Sequence, residues 1–160
     1  MSYIERLALL TIALAAPVPA AASIACTGFG AYLNAGEYEA NSTTPVDASV
    51  FFRVSCVRHG GPPRVTVTVA LGPSANSGGI ARRAMRRTGG DDLLGYNLYL
   101  DPARLRVWGD TPGSNTMGNT LALPNDSAGV VTFTIFSRID ALQDVRPGAY
   151  SDSLSVNVDF

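Results

Sequence analysis

Histidine occurs once in this 160-residue chain, at position 59, and cysteine twice, at 26 and 56. A serine–histidine–aspartate triad therefore has one candidate base. That base, His59, sits beside Gly60-Gly61-Pro62-Pro63, a cluster that reads as a solvated loop. Two cysteines without partner histidines leave an ordinary zinc site short of ligands. Charge is scarce too: charged residues make up 16% of the chain and the formal net charge is −1. No global field favours nucleic acid or acidic lipid. Thr27-Gly28-Phe29-Gly30 holds two glycines of a dinucleotide fingerprint but not the third, and no helix follows. Gly89-Gly90-Asp91-Asp92 reads as a hairpin turn. No catalytic residue, cofactor or metal site emerges, and the expectation is a protein that is not an enzyme.

Only one long apolar run is present, and it lies at the start. Met1–Arg6 is short and polar, Leu7–Ala16 is unbroken apolar, and Pro17–Ala22 supplies a helix breaker and small residues. That order is the order of a secretory signal peptide, and the run is too short to span a bilayer. The expected cut follows Ala22, with a cut after Ala20 as the alternative. Residues 1–22 are thus read as a signal peptide and 23–160 as one domain without an integral membrane segment. In an exported chain the cysteine pair reads as a Cys26–Cys56 disulfide; two free buried thiols are the alternative. Closing a 30-residue loop contributes about 3.6 kcal/mol in the chain-entropy picture.

What is abundant is alternation. Val50, Phe52, Val54 and Cys56 share one face of Ser49–Val57, because strand side chains repeat every two residues. Val65, Val67, Val69 and Leu71 form a second set, Leu94, Tyr96, Leu98 and Leu100 a third, and Val131, Phe133, Ile135 and Ile139 a fourth. Leu154, Val156, Val158 and Phe160 alternate with polar residues to the final position. Shorter strands are expected at Thr27–Leu33 and Leu105–Trp108, and one helical turn is possible over Ala81–Arg87. Turn-forming clusters separate the runs, notably Gly72–Gly79, Thr88–Asp92, Thr111–Gly118 and Pro124–Gly129. Short strands with one apolar face between such turns define an all-β antiparallel sandwich or barrel.

Arg82-Arg83-Ala84-Met85-Arg86-Arg87 is the one basic cluster. It lacks interleaved aromatics, so it reads as a solvated loop or a polyanion contact rather than a nucleic-acid interface. Asp101, Asp110, Asp140, Asp144 and Asp152 show no acid/base pairing by spacing and read mostly as turn caps or solvated charges. Asn41 and Asn125 head glycosylation sequons, relevant only on a glycosylating route.

The run Tyr96-Asn97-Leu98-Tyr99-Leu100-Asp101-Pro102-Ala103-Arg104, continuing to Val107-Trp108-Gly109-Asp110, closely resembles the signature of spore coat protein U domains, a family that includes subunits of archaic chaperone–usher pili. Thr111 stands where a second glycine is usual. Phe29-Gly30-Ala31-Tyr32 after Cys26, Arg83-Ala84-Met85, and the ending Gln143 to Phe160 with Gly148, Tyr150 and Asp152 are similar to further family elements. The resemblance spans essentially the whole mature chain. It implies an incomplete immunoglobulin-like sandwich lacking one strand, with an apolar groove beside the C-terminal strand at Leu154, Val156, Val158 and Phe160. It further implies partners: a periplasmic pilus chaperone and then neighbouring subunits, each adding a strand to the groove. A cut at Ala22 leaves only Ser23-Ile24-Ala25 before Cys26, too short a segment to donate at about 3.3 Å per residue. The expected function is an exported subunit of a surface fibre or coat, with a tip or terminating member as its finer form. The alternative is a stand-alone adhesin that binds a surface ligand through its loops. Tyr96, Tyr99 and Trp108 are expected to be structural rather than ligand-stacking.

Overall fold

The computed structural model describes residues 22–160, so the expected signal segment, 1–21, lies outside the described residues. Nine strands are found among them: β1 (Ser23–Gly28), β2 (Val46–His59), β3 (Arg64–Leu71), β4 (Arg83–Arg87), β5 (Leu93–Tyr99), β6 (Met117–Ala122), β7 (Ser127–Ile139), β8 (Tyr150–Ser151) and β9 (Val156–Asp159). No helix of the described residues is long and apolar enough to cross a membrane.

Two antiparallel sheets result. One has the order β1-β2-β7-β5-β4-β8 and the other β6-β3-β9. Their centre is the long β2–β7 ribbon, paired without interruption from Val46 opposite Ile139 to Arg58 opposite Ser127. Its inward residues Phe52, Val54, Val131, Phe133 and Ile135 pack on Val65, Val67, Val69 and Leu71 of β3. The four alternating sets read from the sequence supply this core almost entirely, because a half-buried strand must put its apolar residues on one face.

Cys26 and Cys56 are opposite each other on β1 and β2 and form a disulfide. Trp108 is fully buried between the sheets. Its indole Nε1 donates to the Val69 carbonyl at 3.0 Å and its ring meets Phe133 edge-on at 6.3 Å. Its backbone joins the sheets as well: the Trp108 N–H donates to Leu98 O on β5, and Gly109 O accepts from Leu71 N on β3.

Several local expectations are corrected. The strand expected over Thr27–Leu33 stops at Gly28, where an added side chain would collide with the Phe52 ring. Beyond it the chain leaves the sheet, and Phe29 and Tyr32 are 62% and 87% exposed. Leu105–Trp108 is a loop with a single bridge, Val107 to Tyr99. Ala81–Arg87 forms no helical turn; most of it is β4, paired with β5 from Arg83 opposite Tyr96. Thr88–Asp92 is the β4–β5 hairpin turn, closed by Arg87 N–H donating to Asp92 O, with Gly89 at φ +73°. The basic cluster is not simply solvated: Arg83 is 1% exposed, while Arg86 pairs with Asp91 and Arg87 with Asp92.

Candidate strand-acceptor groove

On one side the two sheets do not close. A groove of about 820 Å³ opens there, floored by Val50, Leu71, Leu94, Leu98, Ile135 and Ile139. One wall is residues 31–40 and the other is Val145–Val156. The first wall follows from the early end of β1. Between Phe29 and Glu39 the only hydrogen bond of the described backbone is Gly36 N–H to the Asn34 side chain. The strap is held at its ends, by Phe29 N–H to Arg53 O and by the Tyr38 hydroxyl, which accepts from Gln143 N–H at 2.6 Å.

The second wall crosses from one sheet to the other. At β8 it pairs with β4 and at β9 with β3. Between them, the carbonyls of Ser153 and Ser155 accept from Ala75 and Gly72, and Ser151 O accepts from the Asn76 amide. All these bonds lie on one edge of the segment. The backbone groups of Asp152 and Leu154 have no hydrogen-bond partner among the described residues. Both walls thus present unpaired main chain across an apolar floor, the arrangement that invites an added strand.

The groove is held in shape by a charged side chain that the sequence pattern concealed. Arg83 of β4 donates from Nη1 to Asn97 Oδ1 at 2.8 Å, from Nε to Gly72 O at 3.2 Å, and from Nη2 to the carbonyls of Leu71, Gly72 and Trp108 at 2.8–3.0 Å. Asn97 in turn donates to Ala81 O and accepts from Leu98 N–H. The guanidinium bolts β4 and β5 of one sheet to the end of β3 in the other. Burial lowers its pKa, opposed by the nearby Tyr96, Asp152 and Asp110. Three separate motifs of the sequence, Arg83-Ala84-Met85, Tyr96-Asn97 and Trp108-Gly109, meet at this point.

Tyr96 and Asp152 line the groove and bond to each other, Tyr96 Oη donating to Asp152 Oδ2 at 2.8 Å. Burial, followed by the neighbouring Asp152 carboxylate, pushes the Tyr96 phenol well above its ordinary value of 10.0. Asp101 accepts from Leu105 and Arg106 N–H and caps its loop, while Arg104 donates to Ser137 O and pairs with Asp47. Arg138 also bonds to Asp47, and that hydrogen bond, ahead of burial in the opposite sense and the charge of Arg104, holds the Asp47 carboxyl below its usual range. Tyr99 is half-buried on the opposite side of β5 from Tyr96. Gly148, at φ +154°, turns the chain into β8, and the Tyr150 hydroxyl donates to Arg146 O. Asp110, Asp140 and Asp144 are exposed, and His59 faces Asp126 at 3.2 Å on the surface.

Of the four residues expected to border the groove, Leu154 and Val156 line it. Val158 lies past its end, packed against the core near Gly28 and Phe52, and Phe160 is 56% exposed. The inward row continues on the other side of Leu154, through Asp152 to Tyr150, which the terminal alternation alone did not reveal.

A two-sheet antiparallel sandwich, disulfide-bonded at its first strand and open along one seam, defines an immunoglobulin-like domain with an unfilled strand position. The chain belongs to the Spore Coat Protein U domain family, whose model matches residues 10–157. It is 30% identical over 151 residues to Protein U of Myxococcus xanthus, a match covering 91% of this chain and 80% of that protein. Among solved structures it is similar to one described as the pre-assembly complex of CsuC and CsuE, chaperone and tip adhesion subunit of archaic chaperone–usher Csu pili of Acinetobacter baumannii. The TM-score is 0.53 at 20% identity, over 86% of this chain and 40% of that one, so the likeness is one of fold.

Proposed function

We propose that this chain is an exported structural subunit of a surface fibre or coat, and that its groove accepts a β-strand from a chaperone and then from a neighbouring subunit. The observation that carries this reading is the pair of unpaired main-chain edges, residues 30–38 and Asp152–Leu154, flanking one apolar floor. An extended segment laid between them satisfies both edges and covers the floor. Left empty, the same seam is an aggregation hazard. The inward row of the second wall runs from Tyr150 to Val156, which at ~3.3 Å per residue accommodates a strand of about seven residues with three or four side chains pointing inward.

A terminal position in such a fibre is the finer part of the proposal. With cleavage after Ala22, the residues before Cys26 are all committed to β1, Ser23 to Ala25 pairing with His59 to Val57. Expression in a periplasm with and without a pilus chaperone tests the function. The expected result is co-purification of a one-to-one complex, and aggregation or oligomerisation without it. A partner-free protein that is monomeric, unfolds cooperatively, and gains nothing in melting temperature from an added strand peptide overturns the proposal.

A further inference from the structure

Alternating apolar side chains fix which face of an added strand points inward, but they do not fix where it stops. Sliding the strand by two residues restores the same face to the same floor. An apolar groove of uniform lining would therefore accept several registers of nearly equal energy. This groove is not uniform. Along its β8–β9 wall the inward row reads Tyr150, Asp152, Leu154, Val156, with polar, exposed residues between them. Asp152 puts one carboxylate into this row between Tyr150 and Leu154, next to the unpaired edge where an added strand would lie.

That carboxylate has acceptor capacity to spare. Oδ2 accepts from Tyr96 Oη at 2.8 Å and Oδ1 from Asn76 Nδ2 at 2.9 Å, one bond to each oxygen, where a carboxylate offers about four lone-pair sites. Its charge is already opposed by buried Arg83, whose own ionisation is favoured by Asp152. The free capacity suits a neutral donor better than a second cation. Covering the site with an apolar side chain removes water from the carboxylate and supplies nothing in return.

We propose that Asp152 sets the register of the inserted strand by selecting a hydroxyl-bearing residue at the one inward position that lies opposite it. This rests on the strand-acceptor reading above. The role matches that of a single polar residue in an apolar coiled-coil seam, which specifies alignment at some cost in affinity.

The test uses a set of nine-residue strand peptides with valine at every inward position, and variants carrying threonine at one inward position at a time. Threonine is close to valine in shape and adds only the hydroxyl. Binding to the disulfide-bonded protein is measured by titration. The expected result is that one threonine position binds about tenfold tighter than the all-valine peptide and the others bind more weakly. Asp152→Leu should abolish that preference. Should it not fold, Tyr96→Phe serves instead: it frees Oδ2 and should strengthen the preference for the same position. Equal affinity for all threonine positions, or a preference unchanged by either variant, overturns the register role and leaves the groove reading standing. Failure of every peptide to bind, the all-valine one included, overturns the groove reading and this proposal with it.

Discussion

The two sides of this sandwich are built by opposite rules. On the closed side, β2 and β7 pair over their full lengths, β3 covers them, and Trp108 fills the space between with its one polar atom bonded. On the open side, the strap from residue 30 to 38 makes almost no backbone hydrogen bonds, and Tyr32 and Val156 are exposed. Both sides carry similar apolar residues. What differs is whether the main chain beside them is paired. The closed side is paired and packed within the described residues; the open side leaves its main-chain edges unpaired among them.

Breaking the closed side should have the largest effect. Trp108→Ala removes a fully buried ring and its hydrogen bond to the Val69 carbonyl, and should cost about 4 kcal/mol in urea unfolding. A loss below about 1 kcal/mol would mean that Trp108 does not join the sheets. Replacing Cys56 with alanine should cost about 2–5 kcal/mol. Intact-mass measurement on the exported protein checks the premise, since two alkylatable thiols without reductant would contradict it. Arg83→Met sits at the boundary between the two sides. It leaves the carbonyls of Leu71, Gly72 and Trp108 without their donor in a buried site, and should cost about 2–3 kcal/mol even though it removes a buried charge.

Smaller effects probe the open side. The Tyr96 phenol is held neutral in the folded state, above its ordinary 10.0. Its contribution is therefore fully present below pH 10 and is lost as pH rises beyond it, when the unfolded chain ionises first. The slope from this one group is at most about 1.4 kcal/mol per pH unit. Tyr96→Phe should flatten unfolding free energy against pH in that range; an unchanged slope would place the phenol elsewhere. Leu154→Ala should cost the empty protein only about 1 kcal/mol, since its side chain is half-covered. It should reduce the melting-temperature gain from an inserted strand by a larger share than it reduces the intrinsic stability.

The strands that face the core on one side were legible because burial imposes alternation: β2, β3, β5 and β7 sit where their apolar sets place them. The sites that depend on pairing rather than burial were not. β6, Met117–Ala122, has an almost wholly exposed or half-exposed run of residues and is a strand because β3 bonds to it. Arg83 looked like one of a solvated cluster, and its burial depends on carbonyls from Leu71, Gly72 and Trp108, far from it in sequence. Likewise the strand expected over Thr27–Leu33 ends at Gly28, and past Phe29 it meets no strand to pair with among the described residues. Of the terminal alternating set, Leu154 and Val156 line the groove and Val158 and Phe160 lie outside it, while the row inside the groove continues through Asp152 to Tyr150.

Amide hydrogen exchange, compared between the protein alone and the protein with a strand fused or bound, tests the contrast most directly. The account predicts slow exchange in β2, β3 and β7 in both states, fast exchange of residues 30–38 and of Asp152 and Leu154 in the empty protein, and strong slowing at those same residues once a strand is present. Protection of residues 30–38 in the empty protein, or exchange there that an added strand leaves unchanged, would contradict it.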